Sequence, residues 1–270
     1  MPELPEVETT CRGIAPHVEG RTVTAVAVRE ARMRRPVPPE LAADLPGQTI
    51  ASVTRRGKYL LLSAPAGTVL IHLGMSGSLR VVPPDAPLRK HDHVDIVFGA
   101  HALRYHDPRR FGVIDWWVAP INTHPLIAPL GIEPLSSAFN GPWLYRATRG
   151  RRSAIKLFLM DAHTLVGVGN IYASESLFRA GIRPSTPAGR ISAVRCERLV
   201  EAVKDTLRAA IQAGGSTLRD FVGSDGEPGY FQQEAFVYGR AGLPCRQCGT
   251  PIRQQVMGQR STFWCPTCQH

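Results

Sequence analysis

The spacing of apolar residues changes partway along this chain, so no single regular architecture can serve both halves. From Thr22 to Val118 apolar and polar residues alternate in short runs, the period of half-buried strands. Strand candidates are Thr22–Arg29, Thr49–Thr54, Tyr59–Ser63, Thr68–Leu73, Ser78–Val82, Val94–Phe98, Leu103–His106 and Phe111–Val118. Turn residues such as Pro65-Ala66-Gly67 and Pro83-Pro84-Asp85 separate them. Such a succession predicts an antiparallel β-sandwich, here preceded by a helix running from Pro5 to about Pro16.

Beyond His124-Pro125 the period becomes helical, after a stretch through Pro129, Pro134 and Pro142 that reads as a linker. Helices are expected over Ala154–Asp161, Ile171–Ala180, Ile191–Ala213 and Thr217–Val222, with Ser153, Asn170 and Ser216 as caps. In the third, Leu199, Val203, Leu207 and Ile211 recur every four residues, and Gly214-Gly215 ends it. At 270 residues the chain is long for one core. The expected class is therefore α+β with two domains. We place a β-sandwich over 1–130, a linker over 131–142, a helical domain over 143–232 and a cysteine-bearing hairpin over 233–270.

Cys245-x-x-Cys248 and Cys265-x-x-Cys268 stand sixteen residues apart, a spacing suited to a four-cysteine zinc site. Four thiolates close the coordination shell, so one structural zinc ion is expected, with a redox disulfide as the alternative. The segment between the pairs reads as a β-hairpin with Arg260 near its turn. Cys11 and Cys196 fall in predicted helices and read as small core residues. The formal net charge of +10 favours a polyanion, nucleic acid first and an anionic membrane surface second. No apolar run approaches a membrane span and no apolar signal segment opens the chain, so a soluble, cytoplasmic protein is expected.

Five further stretches carry chemistry. Removal of Met1 would expose the secondary amine of Pro2, which titrates near ~8 and can attack a sugar carbon to form an iminium. Glu3 beside it could carry protons. The alternative is a helix start with Pro5 in the first turn and Glu6 and Glu8 facing the dipole. Val166-Gly167-Val168-Gly169-Asn170-Ile171 reads either as a glycine turn between packed helices or as a corner offering N–H groups to a phosphate. Lys156 and the basic run Arg149–Arg152 favour the second. The loops Leu73–Gly77 and Asp107–Phe111 carry Met75, Arg109 and Phe111, either core residues and a surface cation or a wedge that fills the void left by a flipped base. Lys58 is a basic strand edge or a cation at the site.

With these motifs in place, the sequence resembles the formamidopyrimidine-DNA glycosylase family of bacterial base-excision enzymes over essentially its whole length. The likeness rests on Pro2–Thr9, Lys58, His72–Gly77, Asp107–Gly112, Gly167–Ala173, Ser224–Phe231 and the cysteine pairs. It implies a β-sandwich, a helix–two-turns–helix domain and a zinc finger, with double-stranded DNA held in the cleft between domains. It implies that the Pro2 amine attacks C1′ of an oxidised purine nucleoside, with Glu3 assisting ring opening and Lys58 contacting phosphate. Both flanking phosphates then leave by β- and δ-elimination. By the same resemblance Met75, Arg109 and Phe111 fill the void, with Arg109 facing the opposite cytosine. His72, Arg110, Lys156, Asn170, Tyr238 and Arg260 lie at DNA-binding positions, and 216–230 forms the loop over the flipped base. The protein is expected to act as a monomer.

Two other readings compete. An endonuclease VIII-type relative would prefer oxidised pyrimidines. A non-catalytic zinc-ribbon DNA-binding protein would account for the charge and the cysteines but leaves Pro2, Glu3 and Lys58 unexplained. A membrane-surface protein lacks the amphipathic cationic helix it would need.

Overall fold

A computed structural model describes residues 2–215 and 235–270. The expected helix Thr217–Val222, its cap Ser216 and the 216–230 loop lie outside the described residues. The described residues divide into two compact units, one formed by 2–129 with 213–215, the other by 130–212 with 235–270.

The first unit opens with α1 (Leu4–Val18), two residues longer than expected at its C-terminal end. Pro5 sits in its first turn, and the Glu6 carboxylate accepts the Glu3 backbone N–H at 2.7 Å. Leu4, Val7, Cys11, Ile14 and Val18 form its buried stripe at three- and four-residue spacing. A cap is worth about 1 kcal/mol, whereas each large apolar side chain buried here contributes about 1.5–3 kcal/mol. Packing therefore fixes the position of the chain's first residues more firmly than capping does.

Eight strands follow in this unit: β1 (Ala25–Val28), β2 (Ser52–Arg56), β3 (Tyr59–Ala64), β4 (Gly67–His72), β5 (Ser78–Val82), β6 (Asp92–Val97), β7 (Ala102–His106) and β8 (Val113–Trp117). They form two antiparallel sheets, β1-β6-β7-β5 and β2-β3-β4-β8. Leu60, Leu62, Val69, Ile71, Leu103 and Ile114 fill the core together with α1's stripe. A short helix, α2 (Glu40–Asp44), buries Leu41 and carries no clear sequence period. β6 begins two residues earlier than its alternation suggests because its polar positions are also buried. There Asp95 binds Arg104 at 2.9 Å and Arg29 at 2.6 Å, and Arg104 donates to the Ala86 carbonyl of the covering loop at 2.8 Å.

The second unit contains α3 (Gly141–Thr148), α4 (Ile155–Leu159), α5 (Asn170–Arg179), α6 (Ala193–Gln212) and the hairpin β9 (Arg253–Met257) with β10 (Arg260–Trp264). Both α3 and α5 pack on α6, whose buried residues include Leu199, Val203 and Leu207. Three sequence expectations need correction. α3 starts inside the expected linker, where Asn140 accepts the Trp143 N–H at 2.9 Å and Pro142 occupies the first turn. Ser153 does not cap α4, whose cap position is Ala154. Asn170 does not cap α5: it is the first helical residue, after Gly169 in extended conformation, and its side chain turns to the hairpin instead.

Candidate active site and nucleic-acid interface

In the first unit the functional candidates gather where strands end in short turns. Gly57-Lys58 is a two-residue link between β2 and β3, and Gly57 adopts φ 57, a conformation that favours glycine at the first position of such hairpins. Lys58 is thereby held at the tip, half-buried. Arg55 ties this turn to α1, donating to Glu8 at 2.8 Å and to the Gly57 carbonyl at 3.0 Å. Burial opposes ionisation of Glu8, but hydrogen bonds from Arg55 and Arg12 outweigh it and hold the carboxyl below its usual range. Pro2 and Glu3 are buried at the start of the same helix. Gly215 approaches this helix closely, since an added Cβ would lie 3.3 Å from the Glu6 side chain.

His72 ends β4 and pairs with Tyr59 on one side and Val113 on the other. Burial, and then the nearby charges of Lys58 and Arg34, push its pKa down to about 4. The Gly74 N–H donates to Nδ1 at 3.0 Å. The ring is therefore neutral at cell pH, and its single proton resides on Nε2. It can donate one hydrogen bond to an anion without adding charge.

The loops 73–77 and 107–112 are joined at their bases. Asp107, fully buried, accepts from the Ser76 hydroxyl at 3.1 Å, the Arg109 N–H at 3.2 Å, the Gly112 N–H at 2.8 Å and the Tyr105 hydroxyl at 3.3 Å. Gly74 at φ 66 lies so close to Gly112 that a Cβ would come within 2.5 Å of its nitrogen. Above this base, Arg109 stacks over the Phe111 ring at 4.8 Å, and Phe111 is 43% exposed, unlike the core phenylalanines. Arg110 adopts φ 55 and pairs with Glu30 at 3.3 Å. Met75 is half-buried at the tip of the other loop. In the sequence Asp107 stands out only as part of a motif. A lone acid before Pro-Arg-Arg gives no hint that four donors converge on it.

In the second unit Lys156 and Asn170 meet the hairpin at Ser261 and Thr262, the residues that follow Arg260. Lys156 is fully buried, and its ammonium donates to Asn170 Oδ1 at 2.5 Å and Thr262 Oγ1 at 2.6 Å. Asn170 Nδ2 donates to the Ser261 carbonyl at 2.9 Å. The lysine thus acts as a post joining α4, the start of α5 and the hairpin. The exposed Arg260 follows the turn Gly258-Gln259, whose φ angles of 55 and 59 suit a tight hairpin. The first turn of α5, this post and Arg260 together favour an anion. Tyr238 packs edge-on against Phe263 at 5.2 Å. Its backbone N–H is one of three, with those of Phe236 and Val237, accepted by the buried carboxylate of Glu175 at 2.8–3.0 Å. Glu175 is a further residue that sequence reasoning misses, because it lies in an otherwise ordinary helix.

The four cysteine sulfurs lie within 4.8 Å of one another, with Cys245–Cys268 at 3.9 Å and Cys248–Cys265 at 3.4 Å. Zinc–sulfur bonds of about 2.3 Å in a tetrahedron require sulfur separations near about 3.8 Å, so the donor set fits one structural zinc. Backbone N–H groups of Gln247 and Cys268 point at Cys245 and Cys265 sulfur, each at 3.4 Å, the support expected around thiolates. Among the described residues no other His, Cys, Asp or Glu cluster could hold a metal, and no helix is long and apolar enough to cross a membrane.

Three family descriptions match successive parts of the chain. They are the formamidopyrimidine-DNA glycosylase N-terminal domain over residues 1–114, the formamidopyrimidine-DNA glycosylase H2TH domain over 130–222, and the zinc finger found in FPG and IleRS over 242–270. The chain is 64% identical over 269 residues to the formamidopyrimidine-DNA glycosylase of Aromatoleum aromaticum, covering 100% of this chain and 99% of that protein. It is 59% identical to that of Thioalkalivibrio sulfidiphilus, with both chains covered completely. Among solved structures, the MutM (FPG) protein of Thermus thermophilus superposes with a TM-score of 0.89 at 39% identity, covering 99% of this chain and 98% of that one. A Lactococcus lactis FPG variant in complex with Fapy-dG containing DNA gives 0.92 at 32% identity over all of both chains. The chain therefore belongs to the formamidopyrimidine-DNA glycosylase family, DNA repair glycosylases that bind DNA and carry a four-cysteine zinc finger.

Proposed function

We propose that the protein is a bifunctional glycosylase and abasic-site lyase acting on oxidised purines, 8-oxoguanine and formamidopyrimidines, opposite cytosine. The observation that carries the reading is the burial of Pro2 and Glu3 at the start of α1, in the unit that also holds the Lys58 turn and the two loops joined by Asp107. The Lactococcus lactis relative in complex with Fapy-dG containing DNA supports the substrate class.

Once Met1 is removed, the Pro2 nitrogen lone pair attacks C1′, and the bond from C1′ to the base nitrogen breaks as the base leaves with a proton. Glu3 delivers a proton to the ring oxygen, so the sugar opens to an iminium on Pro2. Loss of a C2′ proton then expels the 3′ phosphate, and a second elimination expels the 5′ phosphate. Hydrolysis of the Schiff base frees the amine. Lys58 and neutral His72 hold the phosphates beside the sugar, while Met75, Arg109 and Phe111 fill the stack. With Met1 attached, the Pro2 nitrogen is an amide and the first step is closed.

Borohydride trapping on duplexes bearing 8-oxoguanine tests this. Protein whose N-terminus is Pro2 should be captured as a covalent adduct, and protein retaining Met1 should not. Capture of both forms alike would overturn the role of Pro2. A panel of lesions distinguishes purine from pyrimidine preference: faster release of an oxidised pyrimidine than of 8-oxoguanine would favour the endonuclease VIII-type reading. The FPG of Lactococcus lactis has been crystallised with oxidised pyrimidine containing DNA, so the panel needs both classes.

A further inference from the structure

Helix α1 and strand β2 are joined by polar bonds at two places. At Val53 the Glu19 carboxylate accepts the backbone N–H at 2.7 Å, and the Cys11 thiol donates to the carbonyl at 3.6 Å. Cys11 and Val53 also belong to the sandwich core, so this join serves the fold. At the second place Arg55 Nε donates to Glu8 at 2.8 Å, while Nη1 of the same guanidinium donates to the Gly57 carbonyl at 3.0 Å. Arg55 and Glu8 are both half-buried.

The second join differs in what lies at its two ends. Glu8 stands on the helix whose start holds Pro2 and Glu3, and the bonds exchanged by Glu3 and Glu6 make that start part of the same rigid body. At the other end, the Gly57 carbonyl and the Lys58 nitrogen share one peptide plane, so fixing the carbonyl fixes the direction in which Lys58 leaves the turn. The Lys58 charge in turn acts on His72, whose ring packs against Tyr59 at 4.9 Å. A guanidinium presents its donors in a planar fork, so both acceptors are held at once, and the ionised partner strengthens the bond to Glu8. Arg12, exposed on the next turn of α1, donates to the same carboxylate at 2.8 Å, but that bond stays within the helix.

We propose that Arg55 is a positioning residue for the reaction: it holds Lys58 in a fixed place relative to the Pro2 amine. The proposal rests on the reading of Pro2 as nucleophile and Lys58 as the cation beside the sugar, and deepens it. Loss of Arg55 leaves Glu8 paired with Arg12 and α1 held to β2 by Glu19, so the fold should survive while the placement of Lys58 loosens.

The test is a double-mutant cycle in full-length, Met1-free protein: wild type, Arg55→Met, Lys58→Met and the two together, with Arg55→Lys and Arg12→Gln for comparison. Single-turnover base release from an 8-oxoguanine duplex is measured at saturating protein, alongside affinity for an abasic-site analogue and the melting temperature. Misplacing a reacting group by about 1 Å costs on the order of a hundredfold, so Arg55→Met should slow base release by roughly ten- to a hundredfold. Affinity should change little. Arg55→Lys, whose ammonium lacks the fork, should recover only part of the rate, and Arg12→Gln should behave as wild type. In the Lys58→Met background the loss of Arg55 should cost little more, because residues that act through one another are non-additive. An equal fold loss in both backgrounds would give Arg55 a merely structural role and overturn the proposal. Wild-type base release by Arg55→Met would do the same, as would full activity of Lys58→Met, which leaves Arg55 nothing to position. If Arg55→Met does not fold, Glu8→Gln weakens the same join from the helix side and passes through the same cycle, with the same outcomes deciding. Wild-type protein that forms no borohydride adduct would instead overturn the underlying functional reading.

Discussion

The carboxylate of Asp107 accepts the backbone N–H of Gly112 at 2.8 Å, and this bond closes the base of the loop that displays Arg109 and Phe111. Because the same group also holds Ser76, its removal leaves donors from both loops unpaired in a buried place. Asp107→Ala should therefore cost at least about 3 kcal/mol of stability, since hydrogen bonds to charged groups contribute about 1.5–3 kcal/mol each. Asp107→Asn, which keeps an acceptor and the shape, should lose less. Urea unfolding of the three proteins checks the order, and equal midpoints would refute it.

His72 supplies a pH signature. Its folded pKa of about 4 lies below the ordinary 6.5, so the folded state prefers the neutral ring. The stability this contributes is present above pH 6.5 and is lost as pH falls from there toward 4, because the unfolded chain takes up a proton that the folded chain refuses. His72→Gln should flatten that part of the stability profile. In the wild type, NMR titration should find the His72 ring neutral at about pH 5.5, where an ordinary histidine is mostly charged.

Zinc removal should reach beyond the finger. Metal binding and folding are coupled in such sites, and the hairpin supplies Thr262 Oγ1 and the Ser261 carbonyl to the buried Lys156 ammonium. Chelation or Cys245→Ala should lower the melting temperature of the helical unit as well and weaken DNA binding. Lys156→Met, which removes the buried charge, should reduce the sensitivity of the helices to chelator. Circular dichroism at helical wavelengths follows both. Unchanged helix melting after complete zinc loss would contradict the coupling.

Pro2→Gly leaves DNA contacts intact but replaces a ring-held secondary amine with a primary amine on a mobile residue. Base release should fall by on the order of a hundredfold or more, the scale of losing a positioned catalytic group. Binding to an abasic-site analogue should stay within a few-fold of wild type. Full lyase activity in this variant would exclude Pro2 as the nucleophile.

The sandwich is legible in the sequence because apolar residues recur in short strand-length runs between turn residues, as in β3 and β4, where Leu60, Leu62, Val69 and Ile71 enter the sandwich core and Leu61 and Leu70 are buried as well. α6 is legible for the same reason at the helical period. The zinc site can be read from cysteine spacing alone. α4 falls inside the expected Ala154–Asp161, whereas α2, five residues long, is too short to establish a period, and α3 is hidden by the prolines around it. Its Asn140-Gly141-Pro142 start is nevertheless a usable capping signal. At the candidate site, the exposed tips follow from motif composition. The buried polar hubs, Asp107, Glu175 and Lys156, do not, since a sequence marks a charge but not which donors and acceptors the fold brings to it.

The division of labour between Met75, Arg109 and Phe111 at the loop tips and Gly74, Asp107 and Gly112 beneath them bears on how this enzyme could be re-engineered. Fingertips can be exchanged while the knuckles stay as they are. Libraries randomised at 75, 109 and 111 should return mostly soluble proteins with altered opposite-base tolerance, whereas libraries at 74, 107 and 112 should be poor in folded members.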